Sequence, residues 1–420
     1  MQLRTPRRGR RLVAAVATLG LLGLPLLTST AADAAASKPK APAVKVMTRN
    51  LYLGADIMRP IQALASVEES PGCEKGTQCY QIKQLDAFAN ANDVTRNIVD
   101  ETDFDTRAKL LANELATQKP DLVGMQEVAL WRSGEMDSPL GADFLKPNAT
   151  HVDYDFLTTL LDDVKADGVE YKAISVGKRA DVEGPAYQGH ILSDATNKRD
   201  VRLTMRDVIL KRVDSAVKVV KNSEGNKIYK TNLTFNVDAT HALKFDRGYQ
   251  WVDLKDGDYK FRFVNTHLEA FGSDIALAQA QELVDGAGGY DGTTIFTCDC
   301  NSDPVNGTIK PGETARHWDP YYLIKRAGGF NDTWTQKYAP QDGFTSGLSE
   351  TVDDSTDANS DGIEDGFDHR INMVFARTAN GDKLKALDGT VVGTQLSDRD
   401  ATTGLWPSDH GGVVMKLRLR

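Results

Sequence analysis

The sequence predicts an α/β protein in which two packed β-sheets are flanked by helices. Short β-type apolar runs recur at 44–47, 122–125, 205–211, 216–220, 231–237, 249–254, 260–265, 293–298, 371–375 and 412–417. Helically spaced stretches fall between them. The clearest is 105–118, where Leu110, Leu111 and Leu115 mark one face and Pro120 follows the end; 274–283 is the second. No linker is long enough to divide residues 44–420, and two stacked sheets can bury one core of that extent. Residues 130–200, rich in Asp, Gly, Pro and Lys, read as loops on one side of the strand ends. No internal repeat is found.

Residues 1–34 read as an export signal. Arg7, Arg8, Arg10 and Arg11 precede an apolar stretch from Leu12 to about Leu27, and Ala32-Asp33-Ala34 offers an A-x-A cleavage site. The stretch is too short for a membrane span. The expectation is a secreted, extracellular protein, by a Sec or a twin-arginine route, with residues 35–43 as a small-residue linker and 44–420 as the catalytic domain. Removing five arginines and one aspartate with the signal takes the net charge from -9 to -13. So acidic a chain lacks the basic footprint that supplies most non-specific nucleic-acid affinity.

Four cysteines in an exported chain favour disulfides. Cys73 and Cys79 bracket a small loop, and closing it is the favoured pairing. Cys298 and Cys300 flank Asp299; on a strand their sulfurs share the face opposite Asp299 and Asn301, which makes them poor partners for the same metal. A bridge between them is expected to be strained, and cross-pairing to Cys73 and Cys79 is the alternative.

The chemistry-bearing residues sit at strand ends, where loops present active sites on a rigid scaffold. The run 44–47 leads to Asn50, 122–125 to Gln126-Glu127, and Val264-Asn265-Thr266 to His267. Thr297-Cys298-Asp299-Cys300-Asn301 and the terminal Ser408-Asp409-His410-Gly411 follow. Carboxylate and amide oxygens suit a hard cation such as Mg²⁺ or Mn²⁺, whereas Zn²⁺ selects His or Cys.

In that order these segments resemble the endonuclease/exonuclease/phosphatase superfamily of metal-dependent phosphodiesterases. The resemblance rests on Asn50 in Met-Thr-Arg-Asn-Leu-Tyr, Glu127 in Gln-Glu, His267 in Asn-Thr-His-Leu, the Asp299/Asn301 pair and Asp409-His410, and spans 44–418. It implies a four-layer α/β/β/α sandwich of two mixed sheets. It implies Glu127 as principal metal ligand with Asn50 and Asp409, Asp299 and Asn301 completing the polar bowl, His410 as general base and His267 as donor to phosphoryl charge. One departure stands out. Where the family has Arg-Ile-Asp-Tyr, this chain has Arg370-Ile371-Asn372-Met373, so an amide replaces the carboxylate that orients the terminal histidine. Either Asn372 holds His410 more weakly or another carboxylate, such as Asp368, substitutes. Relatives often place a phosphate-touching residue near Arg206-Asp207, which an ordinary strand-entry ion pair explains equally well.

A second acidic motif spans 357–368: Asp357, Asn359, Asp361, Asp365 and Asp368, with Gly362 at the sixth position. That spacing is what a Ca²⁺ loop requires, with Asp where an EF-hand has Glu. The runs around Asn50 and His267 look most like the bacterial sphingomyelinase and phospholipase C branch. The leading expectation is therefore a monomeric secreted phospholipase C acting on glycerophospholipid or sphingolipid head groups. It implies transient membrane-surface contact, through Trp318, Tyr321 and Tyr322 or Trp131. An extracellular nuclease acting on nucleic acid and a non-catalytic calcium-dependent binding module are the alternatives.

Overall fold

The computed structural model describes residues 41–136, 147–236 and 242–420. The expected export signal, residues 1–34, and most of the expected linker lie outside the described residues. Among the described residues no helix is long and apolar enough to cross a membrane.

The chain opens with β1 (Ala43–Asn50), then α1 (Arg59–Ala65), α2 (Gln78–Glu101) and α3 (Phe104–Gln118) before β2 (Leu122–Gln126). Next come β3 (Leu130–Gly134), β4 (His151–Asp155), α4 (Phe156–Ala166) and a long pair, β5 (Tyr171–Gln188) and β6 (Thr196–Arg212). Short strands follow: β7 (Lys218–Val219), β8 (Gly225–Ile228), β9 (Leu233–Asn236) and β10 (Ala242–Phe245). The second half holds β11 (Gly248–Asp256), β12 (Tyr259–His267), α5 (Ser273–Asp285), β13 (Thr294–Asp299), α6 (Asp319–Arg326), β14 (Asn331–Asp332), α7 (Thr333–Tyr338), β15 (Asn372–Arg377), β16 (Lys385–Val392) and β17 (Gly412–Arg418).

One sheet runs β16-β17-β1-β2-β6-β3-β4, with β5 also on β6; the other runs β14-β15-β13-β12-β11-β7, with β8 also on β11. Both are mixed: β1 lies parallel to β2 and β12 parallel to β13, while their other pairings are antiparallel. Between the sheets, Val44, Val46, Leu122 and Val413 pack against Val252, Phe261, Phe263 and Ile295. The outer face of the first sheet, with Met47, Val123 and Val208, is covered by Leu111 and Leu115 of α3 and Phe156 and Leu160 of α4. On the second sheet Val264, Phe296 and Phe375 meet Ala280 and Leu283 of α5 and Ile324 of α6. This is the four-layer α/β/β/α sandwich.

Near the strand ends the interior turns polar. Gln126 Nε2 donates to Asn265 Oδ1 (2.7 Å), and Thr297 Oγ1 donates to the same oxygen (3.2 Å). Gly124 makes this approach feasible, since a Cβ there would lie 2.0 Å from Thr297 Oγ1.

Residues 130–200 are not a loop region. Outside 137–146, which are not described, they build β3, β4, α4, β5 and the start of β6. Charges there are paired within the sheet, as in the Asp181 and Arg202 fork at 2.7 and 2.8 Å, so polarity did not signal exposure. Both disulfides are local, Cys73–Cys79 and Cys298–Cys300. The second pair forms because β13 ends at Asp299: Cys300 has left the extended strand, and its Cα lies 5.1 Å from that of Cys298.

Candidate active site

β1, β2, β12, β13 and the segment before β17 bring their ends together, and three residues there take left-handed backbone. Tyr52 (φ 58°), Glu127 (φ 55°) and Asn301 (φ 43°) each kink the chain as it leaves a strand. Such conformations cost about 1–3 kcal/mol each and persist where surrounding contacts enforce them. At Glu127 the contact is a backbone amide: Leu53 N donates to Oε2 at 2.9 Å.

The predicted site residues converge. Asn50 Nδ2 donates to Asp299 Oδ2 (2.8 Å), and Asn50 Oδ1 accepts from Tyr52 N (2.8 Å). As placed, Asn50 orients Asp299 and also faces its oxygen to the chain. Asp299 Oδ2 lies 3.7 Å from His267 Nε2 and 3.6 Å from His410 Nδ1, midway between the two imidazoles. Asn301 N donates to Asp299 Oδ1 (3.2 Å) and its Nδ2 to Leu268 O (2.9 Å), locking the β13 end to the β12 end. Glu127 Oε1 is 4.0 Å from His267 Nε2, and Asp409 Oδ1 is 3.7 Å from His410 Nε2.

His410 meets Asn372, not Asp368. Its Nδ1 is 2.8 Å from Asn372 Oδ1; an amide oxygen only accepts, so Nδ1 carries the proton and Nε2 is left to take one. Asp368 pairs instead with the exposed His369, its sequence neighbour, and so does not orient the ring. Burial works against charge on His410, but Asp409, Asp299 and Glu127 outweigh it and hold the imidazole above its usual 6.5.

His267 is tuned the other way. Burial and the Arg247 guanidinium push it well below 6.5, so it is neutral near pH 7. Arg247 Nη1 lies 2.7 Å from its Nδ1 and 3.1 Å from its Nε2, so the guanidinium caps the edge of the ring whose Nε2 faces Asp299 and Glu127. Arg247 is the site residue that reading the sequence missed. Its signal was the β11–β12 hairpin, whose Asp256-Gly257-Asp258 turn sets Gly248 opposite His267 and so brings the preceding residue to the site.

Burial, then the charge of Asp409, lifts the Glu127 carboxyl above its usual range, and burial lifts that of Asp409, with Asp299 adding to it against the pull of His410 and Arg107. Among the described residues no three or more of His, Cys, Asp and Glu form a closed metal cage. The oxygen-only donor set nevertheless fits Mg²⁺ or Mn²⁺. Mg²⁺ keeps several waters and is held by one or two carboxylates with substrate phosphate, and Glu127 and Asp409 are two carboxylates already crowded by like charge.

Several expectations fall elsewhere. Arg206 donates to Val128 O (2.9 Å), Ala129 O (2.9 Å) and Asp155 Oδ1 (2.6 Å), bracing the turn after Glu127, while Asp207 is buried against Arg179 Nε at 2.6 Å. In the acidic loop, Asp357 accepts from Asp361 N and Gly362 N (both 3.1 Å), Asn359 from Asp361 N (2.9 Å), Asp361 from Ile363 N (2.9 Å) and Asp365 from Ala358 N (2.7 Å). The loop thus closes on its own amides, and Asp368 turns to His369. Trp131 and Tyr321 are core residues, 3% and 2% exposed, and offer no docking surface; Trp131 Nε1 donates to Leu53 O. Large apolar side chains do stand in solvent on the loops after β12 and β13: Phe271 (47%), Val305 (75%) and Ile309 (50%). Lys310 Nζ donates to Ala270 O (3.3 Å), tying the two loops together.

No protein-family description matches the chain, and no curated protein does. Among solved structures it is similar to an endonuclease/exonuclease/phosphatase family protein from Leptotrichia buccalis C-1013-b, with 14% identity and a TM-score of 0.47 over 89% of this chain and 99% of that one. It is similar to another from Beutenbergia cavernae DSM 12333, with 18% identity and a TM-score of 0.45 over 90% of this chain and 72% of that one. A Bacteroides thetaiotaomicron VPI-5482 mannosyl-6-phosphatase is similar at 16% identity and a TM-score of 0.44, over 89% of this chain and 99% of that one.

Proposed function

We propose that this chain is an exported, divalent-metal-dependent phosphoesterase of the endonuclease/exonuclease/phosphatase superfamily, and that its reaction is phospholipase C cleavage of glycerophospholipid or sphingolipid head groups. The observation that carries the reading is the pair of oppositely tuned histidines on either side of Asp299, with Glu127 and Asp409 beside them.

A bound Mg²⁺ or Mn²⁺, held by Glu127 and Asp409, would supply positive charge to a non-bridging oxygen and to the leaving alkoxide. His410 Nε2 takes the proton of the attacking water as that oxygen bonds to phosphorus, while Asn372 keeps the Nδ1 proton in place. Asp299, 3.6 Å from Nδ1, compensates the imidazolium that the neutral amide cannot. His267 stays neutral and donates its one ring N–H as a hydrogen bond to the phosphoryl oxygens. As the bond from phosphorus to the lipid oxygen breaks, the proton gained by His410 is available to that oxygen.

The lipid preference is supported by the acidic chain, which repels a polyanion, and by Phe271, Val305 and Ile309 standing in solvent on the loops that follow His267 and Asp299. Export is supported by the arginine-led apolar stretch that ends near Leu27, with the Ala32-Asp33-Ala34 cleavage site after it. The test is a screen of protein lacking residues 1–34 against phospholipid vesicles and plasmid DNA, each with Mg²⁺, Mn²⁺, Ca²⁺ or EDTA. Release of a phosphorylated head group, lost in EDTA, is expected. Plasmid nicking at trace enzyme with vesicles untouched would make the protein a nuclease.

A further inference from the structure

The segment 407–410, which carries Asp409 and His410, is held at both ends by arginines that answer to one helix. Arg107 of α3 is fully buried and donates only to carbonyls: Nε to Thr102 O (2.7 Å), Nη1 to Leu51 O (2.8 Å) and Pro407 O (3.2 Å), and Nη2 to Tyr52 O (3.2 Å). It thereby joins the loop leaving β1, after Asn50, to the start of the His410 segment. At the other end, Arg49 of β1 donates through Nη1 to His410 O. Arg49 is in turn gripped by Glu114 of α3, Nε to Oε2 at 2.9 Å and Nη2 to Oε1 at 2.8 Å. Arg107 and Glu114 are seven residues apart, two turns along one face and about 10 Å along the axis.

A guanidinium is the group for this task. Its planar fork reaches several acceptors at fixed angles, which a lysine ammonium on a flexible stem does not. The neighbours of Arg107 lock it further: Tyr52, Phe104 and Phe156 surround its Cζ at 5.2–5.8 Å from the ring centres. Ser408 Oγ adds a crosslink to Asn50 O (2.9 Å) and accepts from His410 N (3.1 Å). The segment is therefore tied at Pro407, Ser408 and His410.

We propose that α3 is a splint for the general base: Arg107, Arg49 and Glu114 are positioning residues that set His410 against Asp299 and Asn372. The assignment goes beyond the phosphoesterase reading, and the kinetic part of its test rests on that reading.

The variants are Arg107→Lys, Arg49→Lys and Glu114→Gln, with Arg96→Lys as control. Arg96 is a buried arginine that pairs with Asp100 and Asp153, away from this segment. In the three splint variants kcat is expected to fall on the order of tenfold or more, since small misplacements of a catalytic group are costly, with KM within about twofold of wild type. Glu114→Gln, which keeps an acceptor for Arg49, should retain more activity than Glu114→Ala. The ring ¹⁵N signals of His410 in uniformly labelled protein should shift in the splint variants and stay put in Arg96→Lys.

Splint variants that lose melting temperature like Arg96→Lys but keep kcat, and leave the His410 signals unmoved, would overturn the proposal. If Arg107→Lys does not fold, Glu114→Gln and Arg49→Lys carry the test. Should wild type cleave no phosphoester, the functional reading fails, whereas the ring signals still test the splint.

Discussion

The His410 Nδ1 proton is held by the Oδ1 of Asn372 across 2.8 Å, and the Nδ2 of that same buried amide has no hydrogen-bond partner among the described residues. The proposed general base is therefore oriented by a neutral group that leaves a donor unpaired among the described residues, an arrangement that costs about 1–3 kcal/mol.

Asn372→Asp removes the stranded donor and places a charge on the imidazole. An opposite charge at this distance favours imidazolium, so the folded pKa of His410 rises further above 6.5. A base must be unprotonated to act, so the acid limb of kcat/KM moves to higher pH. Above the limb, turnover holds or rises. pH–rate profiles at saturating metal check this, and an unmoved limb would show that residue 372 does not govern the ring.

Glu127→Gln separates activity from stability. The Glu127 and Asp409 carboxyls are raised above their usual range, so folding favours their protonated forms. In the metal-free protein that contribution is greatest at low pH and is lost as pH rises through the raised folded values, where the ionised carboxylates come to repel. The amide relieves the repulsion. The expected outcome is an unchanged or higher melting temperature in EDTA, a smaller rise with Mg²⁺ than wild type shows, and loss of most turnover. Near-wild-type turnover at saturating Mg²⁺ or Mn²⁺ would remove Glu127 from the metal assignment.

Phe271 and Val305 give the lipid reading its own test. Burying a phenylalanine side chain in a bilayer surface is worth about 1.5–3 kcal/mol, and 1.4 kcal/mol is about tenfold. Phe271→Ser with Val305→Ser should therefore lower turnover on vesicles about tenfold or more, while a soluble short-chain phosphodiester is cleaved as before. Equal losses on both substrates would place these residues in the site and not on a docking surface.

The acidic loop makes a structural prediction. Asp357 accepts from two backbone amides without any ion, so Asp357→Ala should lower the melting temperature in EGTA. The size expected is about 1–2 kcal/mol for two hydrogen bonds. An unchanged melting temperature would mean that the carboxylate does not close the loop unaided.

What the sequence made legible follows one rule. Strands β2 and β13 were readable because both faces are buried, and β1, β12 and β17 because they are buried over most of their length, so each holds an apolar run near the candidate site. The helix α2 escaped because its 24 residues are rich in Asn, Asp and Gln, and it buries Asp93, Thr95 and Arg96 beside its apolar contacts. Arg199 pairs with Asp93 at 2.9 Å, so tertiary partners erase the amphipathic pattern. The same holds for Arg49, Arg107 and Arg247, charged in the sequence yet interior in the fold. Motif order picked out the residues that converge at the candidate site, but the buried arginines around them became readable only once strand register brought distant segments together.

The most direct measurement is the turnover of His410→Ala against wild type on phosphatidylcholine and sphingomyelin vesicles, followed by ³¹P NMR with saturating Mg²⁺ or Mn²⁺. Wild type should release a phosphorylated head group, and His410→Ala should be slower by about a hundredfold or more, the usual size of a general-base contribution. Undiminished release by His410→Ala, with the wild-type product, would contradict the account.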